Sequence, residues 1–497
     1  MRRLQHILLL ASALLLSLPA AAQQRGGRIE GTVYDDEGGP MAGARVTVTS
    51  PTQIGGPRST STGSDGGFRF LGLIPGKFKV KVYKKGFLGV IRKGMRVHAG
   101  KTATLDILMD KAPDAPKPKV VKKPGPSSQP DAPVPVAKTS TGVTTTKAKG
   151  ETYVITAARP VVDVTKATTG ESISDEYIEA VPMSTRSFQG MTNMTPGVAD
   201  NSGGGSNYSV AGGAYFNNTY LVDGIDTTDP VTHTFATNFN FDAMSDVSIS
   251  TGAGGPEHSD TPGGVINMVT KSGSNAFELD TSIYYQDDAL TIKELDEKGR
   301  TFRDFSFNLN VGGPIVKDKL WYYASAELNQ RTSTLAPDPN QVLPDHPSRK
   351  YTDAKVFAKL TWQASTKHKF MWWTQFAPAS IDNTRQALTV EPDAERHQDQ
   401  YAVLTTLAHE WLAGDKTFVK TQVGFVWSGL RIYPQSGIED VSRVEDVGTG
   451  VYSRNDHRVL TDDRFRIQLQ SDVTQFIDNK FGDHEIKAGF RFQHVFN

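Results

Sequence analysis

Residues 464–473 read Arg-Phe-Arg-Ile-Gln-Leu-Gln-Ser-Asp-Val. Phe465, Ile467, Leu469 and Val473 share one parity; Arg464, Arg466, Gln468, Gln470 and Asp472 share the other. A period of two is a strand, because successive side chains leave a pleated backbone on opposite faces. The polar face decides which kind of strand. A dry sandwich core would not hold Arg464, Arg466 and Asp472 together, since burying unpaired charge is costly. A water-facing lumen accepts them, with the apolar face turned to lipid.

The pattern spreads outward from this stretch. Downstream, Ile486, Ala488, Phe490 and Phe492 oppose Glu485, Lys487, Arg491 and Gln493. Upstream, Val419, Thr421, Val423, Phe425 and Trp427 share a face, as do Val356, Ala358, Leu360 and Trp362. Leu320, Tyr322, Ala324, Ala326 and Leu328 form another such face, and Phe305, Phe307, Leu309 and Val311 a fourth. From Phe277 onward there are nine candidate strands. Each can supply the roughly 9–11 residues of a tilted membrane strand. Trp321-Tyr322-Tyr323 and Trp372-Trp373 lie near strand ends, where interfacial aromatic girdles are expected.

Lys+Arg and Asp+Glu are both 54, so the chain offers no global field for nucleic acid. The absence of cysteine excludes disulfides, thiolate metal sites, a cysteine nucleophile and a lipoprotein anchor. At the N-terminus, Arg2 and Arg3 precede an apolar run from Ile7 to Leu18, followed by Ala20-Ala21-Ala22. This is the form of a secretory signal peptide over residues 1–22, cleaved before Gln23. No later stretch is long and apolar enough for a transmembrane helix, so membrane crossing requires strands closed into a barrel.

Residues 28–110 alternate with period two between Gly and Pro turns and predict a small β-sandwich. Residues 111–150 form a linker, with eight prolines and many lysines that cannot bury a core. Residues 151–275 mix short strands (219–222, 247–250, 265–270), Gly-rich loops and short helices, one from Ser174 to Glu179 and one from Ser187 to Asn193. Residues 276–497 are the partial barrel.

Four segments in this order resemble the TonB-dependent receptor family. Glu151-Thr152-Tyr153-Val154-Ile155-Thr156-Ala157 resembles the TonB box. Tyr220-Leu221-Val222-Asp223-Gly224 and Gly263-Gly264-Val265-Ile266-Asn267 resemble plug segments, the second running through Met268 to Gly273 into the first barrel strand. Gly312 to Lys319 resembles an early barrel turn of the Oar-like subgroup. Separately, Gly31-Thr32-Val33, Asp65 to Phe70 and Leu73 to Val80 resemble the carboxypeptidase regulatory-like domain. The resemblances imply a mainly β chain: an N-terminal transthyretin-like β-sandwich in the periplasm, an α+β plug, and part of a transmembrane antiparallel β-barrel in the cell outer membrane. They imply the C-terminal domain of TonB as partner, along with outer-membrane lipid and a transported ligand. The family barrel has about 22 strands, so nine read as a fragment or a truncated product.

The chemistry-bearing motifs fail on spacing. Gly94 to Thr102 places five residues between glycines where a phosphate loop needs four, and it lies between strands. None of the eleven histidines begins a His-x-x-Glu or His-Glu-x-x-His zinc pattern. Asp223, Asp226 and Asp229 lack calcium-loop spacing and read as turn-formers. The expectation is a transporter with no catalytic residues, no metal and no cofactor. A barrel-anchored surface adhesion or glycan-binding envelope protein is the alternative. The ligand stays open among iron chelate, cobalamin, glycan and peptide, and so does the direction of transport. Residues 152–156 alternate β-branched and aromatic side chains, fit either to add to a partner's sheet edge or to begin the plug.

Overall fold

The computed structural model describes residues 26–497 apart from 52–55, 113–143, 149–151, 157–169, 175–176, 179–186, 193–194, 201–207, 252–260, 262, 291–300, 336–342, 344–346, 415 and 478–483. The signal peptide, most of the linker, Glu151, Ala157 and much of the 174–179 helix lie outside the described residues. Two compact units divide between Thr165 and Lys166.

The N-terminal unit carries β1 (Gly27–Tyr34), β2 (Arg45–Thr49), β3 (Arg58–Ser61), β4 (Gly67–Leu73), β5 (Gly76–Tyr83), β6 (Gly89–Val97), β7 (Thr102–Thr104) and β8 (Ile107–Leu108). One sheet runs β4-β1-β7, with β8 on β1; the other contains β3-β2-β5-β6. In β5 the exposed Lys77, Lys79 and Lys81 alternate with buried Phe78, Val80 and Val82. These pack against Ile29, Val33, Val46, Phe68, Phe70 and Leu73 from the facing layer and neighbouring strands. Burying each such side chain stabilises by about 1.5–3 kcal/mol. Gly31 is required by a close crossing, since a Cβ there would lie 1.8 Å from the Leu105 carbonyl oxygen.

This unit also holds β9 (Thr144–Ala148) and β10 (Thr152–Thr156). They extend the second sheet in the order β6-β10-β9.

The second unit contains the segment expected as the plug, so called from here on, and the barrel wall. The plug strands are β11 (Gly170–Ser174), β12 (Val198–Asp200), β13 (Tyr208–Val210), β14 (Thr219–Val222), β15 (Ile225–Asp226), β16 (Met244–Ser250) and β17 (Val265–Thr270). The main plug sheet is ordered β11-β16-β17-β14-β15. A short helix, Phe188–Thr192, falls within the predicted 187–193 segment.

The wall comprises β18 (Glu278–Asp287), β19 (Phe302–Val316), β20 (Leu320–Ser333), β21 (Arg349–Gln363), β22 (His368–Phe376), β23 (Ala379–Asp382), β24 (Arg396–Leu412) and β25 (Thr417–Pro434). After a loop hairpin of β26 (Val444–Asp446) and β27 (Val451–Ser453), β28 (Leu460–Ile477) and β29 (His484–Phe496) complete it. All wall pairings are antiparallel neighbours. β22 and β23 both lie between β21 and β24 and amount to one strand interrupted at Ala377-Pro378. The sheet path therefore has the nine strands counted in the sequence. Proline removes a ladder donor, which accounts for the break.

Leu309, Leu328, Val356, Leu360, Leu407, Val423 and Ile467 are exposed on the outer face, while Asn308, Asn310, Glu327, Lys359, Gln422 and Gln468 are buried inside. This is the apolar-out, polar-in order of a membrane barrel. The girdle expectation needs correction: Trp321, Tyr323 and Trp373 are buried in the lumen, and only their neighbours Tyr322 and Trp372 face outward. Adjacent strand residues must split between faces, so an aromatic pair cannot serve the lipid interface as a unit. One end of the wall has short turns, such as 317–319 and 364–367, and the other has long loops, such as 383–395 and 435–459. Short periplasmic turns and long outer loops are the usual arrangement. The plug enters β18 at the short-turn end.

Candidate functional site

The two plug motifs meet. β14 and β17 run parallel, with Tyr220 opposite Ile266, Leu221 opposite Asn267 and Thr219 opposite Val265. Gly263 and Gly264 lead into β17 beneath β13; a Cβ on Gly264 would lie 2.3 Å from Val210 Cγ1. Asp223 and Gly224 both take positive φ and turn the chain from β14 to β15. Asn267 Oδ1 accepts from the Gly224 amide at 3.1 Å, tying the motifs together at the turn. The Asp223 carboxylate accepts from the Thr270 amide at 3.0 Å and from its hydroxyl at 2.6 Å.

From this turn the segment 223–229 follows the inner face of β28. Gln470 Nε2 donates to the Gly224 carbonyl at 3.2 Å, and the Asp226 amide donates to Gln468 Oε1 at 3.2 Å. Arg466 lies 2.7 Å from Asp226 Oδ1, and Arg464 pairs with Asp229. The alternate polar residues of the 464–473 stretch thus face a plug segment, one after another. Lys359 of β21 completes the set, 3.6 Å from Asp223 and donating to the Thr270 hydroxyl at 2.7 Å. Gln422 of β25 donates to the Asp223 carbonyl at 3.3 Å.

Each aspartate of the 223–229 run is therefore both a turn-former, as expected, and an ion-pair partner of the wall. Asp226 Oδ1 accepts from the Thr228 amide, and Asp229 Oδ1 from those of Val231 and Thr232. Burial pushes the Asp229 carboxyl up, but the amides of Thr232 and Val231 and the Arg464 guanidinium together hold it below its ordinary value. These wall partners are not predicted by any local motif. Their only signal was the inward parity of Arg464, Arg466, Gln468 and Gln470.

Beside Lys359, on the same face of β21, the seating turns to aromatic rings set among hydrogen bonds, with Asn240 donating to Ser325 at 2.7 Å and the Phe241 amide to Glu327 at 3.2 Å. Phe357 of β21 is fully buried, with ring centroids 5.7 Å from plug Phe239, 6.2 Å from Tyr323 and 6.0 Å from Trp373. Phe241, Val222, Ile266 and Met268 belong to the same core.

The segment expected as the box lies elsewhere. β10 pairs in parallel with β6, Thr152 opposite Gly89 through Thr156 opposite Lys93. Its other edge pairs antiparallel with β9, Thr152 opposite Ala148 through Thr156 opposite Thr144. Both backbone edges of residues 152–156 are thus engaged within the N-terminal unit.

Residues 28–110 match the carboxypeptidase regulatory-like domain family. The chain is 28% identical over 323 residues to the TonB-dependent transporter Oar of Myxococcus xanthus, an alignment covering 61% of this chain and 27% of that protein. The chain is a homologue of TonB-dependent transporters. It spans about a quarter of the length of this curated relative. The fold of this chain is similar to that of solved outer-membrane receptors. It superposes on the outer membrane transporter YddB of Escherichia coli with a TM-score of 0.53 at 13% identity, covering 66% of this chain and 48% of that one. For the siderophore receptor PirA of Acinetobacter baumannii the TM-score is 0.51 at 17% identity, with the same coverages. This chain is mainly β and, by this homology, a protein of the outer membrane.

Proposed function

We propose that the chain supplies the plug and part of the barrel of a TonB-dependent transporter, non-enzymatic, which moves a ligand across the outer membrane by remodelling the plug. The observation that carries this reading is the asymmetric seating of the plug. A ring cluster around Phe357 packs plug residues 239–244 against the wall, alongside hydrogen bonds from Asn240 and Phe241, while segment 223–229 is held chiefly by ion pairs and amide hydrogen bonds. Polar contacts can be exchanged for water at small net cost. An apolar core cannot be opened so cheaply. On this reading segment 223–229 is the latch that opens, and the ring cluster around Phe357 is the anchor that holds.

On this reading the N-terminal unit lies in the periplasm and residues 151–157 are the TonB box. The box engages the TonB C-terminal domain by strand addition, which resists pulling through main-chain hydrogen bonds. Both edges of β10 are already paired, so engagement requires exchange: a TonB strand must displace β9 or β6.

Val154→Pro tests the box in the natural receptor. Proline removes an amide donor and fixes φ near −65°. Energy-dependent uptake is expected to fall to background, with membrane insertion and ligand binding kept within about twofold. Loss of ligand binding alongside uptake would instead make the segment part of the plug's fold.

A further inference from the structure

The outward face of the β3-β2-β5-β6 sheet carries charge of one sign. These four strands contain eight Lys and Arg and no Asp or Glu. Lys77, Lys79 and Lys81 are exposed at every second position of β5, so they stand roughly 7 Å apart on one face. Arg45 is exposed on β2, opposite Tyr83. On β6, Arg96 lies directly opposite Lys77. The register slips between Phe78 and Val80, which leaves the exposed Lys93 and Gly94 together across from Lys79.

Like charges opposite one another destabilise a sheet. Elsewhere in the same unit, cations meet carboxylates. Glu30 of β1 holds Arg69 of β4 at 3.1 Å, and Lys111 meets Asp36 at 3.4 Å and Glu37 at 3.1 Å. No carboxylate among the described residues pairs with Arg45, Lys79, Lys81 or Lys93. The repulsion is carried into the folded unit, and an anion outside the chain relieves it. Tyr83, 56% exposed, shares the face with the lysines, and Ile91 stands opposite Lys81. Rings with a polar tip and lysines with long apolar stems are the side chains that settle at a membrane interface. A mesh of cell-wall glycan offers carboxylates without that apolar layer. A pleated face is broad and shallow, which suits an extended surface of headgroups. The chain brings one within reach: the sandwich is tethered to strands of an outer-membrane barrel, at high effective concentration beside the bilayer.

We propose that the face built on Lys77, Lys79 and Lys81 docks on anionic phospholipid headgroups of the periplasmic leaflet of the outer membrane. The proposal rests on the reading above that the N-terminal unit lies in the periplasm, and adds a second membrane contact to that of the barrel. Docking uses the face of the sheet and leaves its edge alone. β10 is bonded to the edge of β6 in this same sheet. A docked sandwich therefore holds residues 152–156 at the membrane surface without competing for their backbone.

The test is lysine footprinting of the natural receptor in nanodiscs, either of phosphatidylcholine alone or with about a third phosphatidylglycerol. A neutral acetylating reagent is pulsed, and each lysine is read by peptide mass spectrometry. Lys77, Lys79 and Lys81 are expected to react about fivefold more slowly in the anionic discs at low salt, and to recover in roughly 0.5 M salt, where surface attraction is screened. Lys111, already neutralised by Asp36 and Glu37, is the internal control and should not change. Equal reactivity in the two discs overturns the proposal. So does protection that Lys111 shares in full, because the membrane charge then slows every lysine alike. Lys79→Gln combined with Lys81→Gln should remove most of the protection at Lys77; unchanged protection there overturns the assignment to this face. If the double variant fails to fold, the comparison of the two discs stands without it. Purified peptidoglycan sacculi added to the neutral discs are the rival probe. Protection by sacculi and not by phosphatidylglycerol gives the face to the cell wall and overturns the lipid. None of these measurements needs an energised partner, so lipid protection without energy-dependent uptake sinks the transport reading alone.

Discussion

Asp229 joins two structures at once: it caps its own turn through the amides of Val231 and Thr232, and it holds Arg464 of the wall. Its folded carboxyl lies below the ordinary value despite burial. A lowered folded pKa means the contribution to stability is fully present above the ordinary carboxylate value of about 3.9 and is lost as pH falls through the lower folded value. The upper end of the latch is therefore expected to stay closed at pH 5 and to open only in stronger acid. Limited proteolysis of residues 223–238 across pH 2.5–7 reads this out, and Asp229→Asn should give the acid pattern already at neutral pH. An unchanged pattern in Asp229→Asn would show that Arg464 contributes nothing to holding the plug. At this scale the turn role of Asp223, Asp226 and Asp229 was legible from local chemistry. Their partners were not, because Arg464 and Arg466 lie 235 and 240 residues away from the groups they meet. No local pattern encodes which plug segment faces which wall strand.

β10 is a strand with no free edge, and that sets the behaviour of the element. Each edge of residues 152–156 carries five register pairs, with β6 on one side and β9 on the other. β9 is the outer strand of that sheet and the simpler one to displace. Removing residues 144–148 leaves one edge of β10 open to a TonB strand. The natural receptor lacking 144–148 is expected to retain the TonB C-terminal domain more tightly in a pull-down, by about tenfold or less. Weaker retention would mean that β9 presents the box to its partner instead of covering it. The β-character of 152–156 was legible from its alternation, and so was its fitness for edge pairing. Its attachment to β6 was not, because main-chain pairing leaves no signature in side-chain type. The barrel strands were the opposite case: long alternation written in side chains, as in 464–473, fixed both their number and their faces.

The described residues form two cores with no residue in common. One is built around Phe78, Val80 and Ile29 in the N-terminal unit, and the other joins plug and wall around Phe357, Phe241 and Trp373. Composition points to a division in the Pro- and Lys-rich stretch, but the units part at Thr165 and Lys166, beyond it, because main-chain pairing carries residues 144–148 and 152–156 onto β6. The mixing of plug and wall into one core was not legible, because inward aromatics such as Trp321 and Trp373 look the same in sequence as girdle residues. Separate cores predict separate melting. Phe78→Ala and Phe357→Ala each remove a fully buried aromatic and should each cost about 3–5 kcal/mol. For a unit of the sandwich's size, each kcal/mol lowers the midpoint by roughly 4–8 °C. Phe78→Ala is therefore expected to lower one calorimetric transition by more than ~10 °C and leave the other in place. Phe357→Ala should do the reverse, and the double variant should show both shifts, because distant sites with no shared partners add. Tryptophan fluorescence identifies the transitions, as all six tryptophans lie in the second unit. If either single variant moves both transitions together, the two units unfold as one body. In that case a pull on β10 would be felt directly by the plug core, and the latch at 223–229 would no longer be the first part to open.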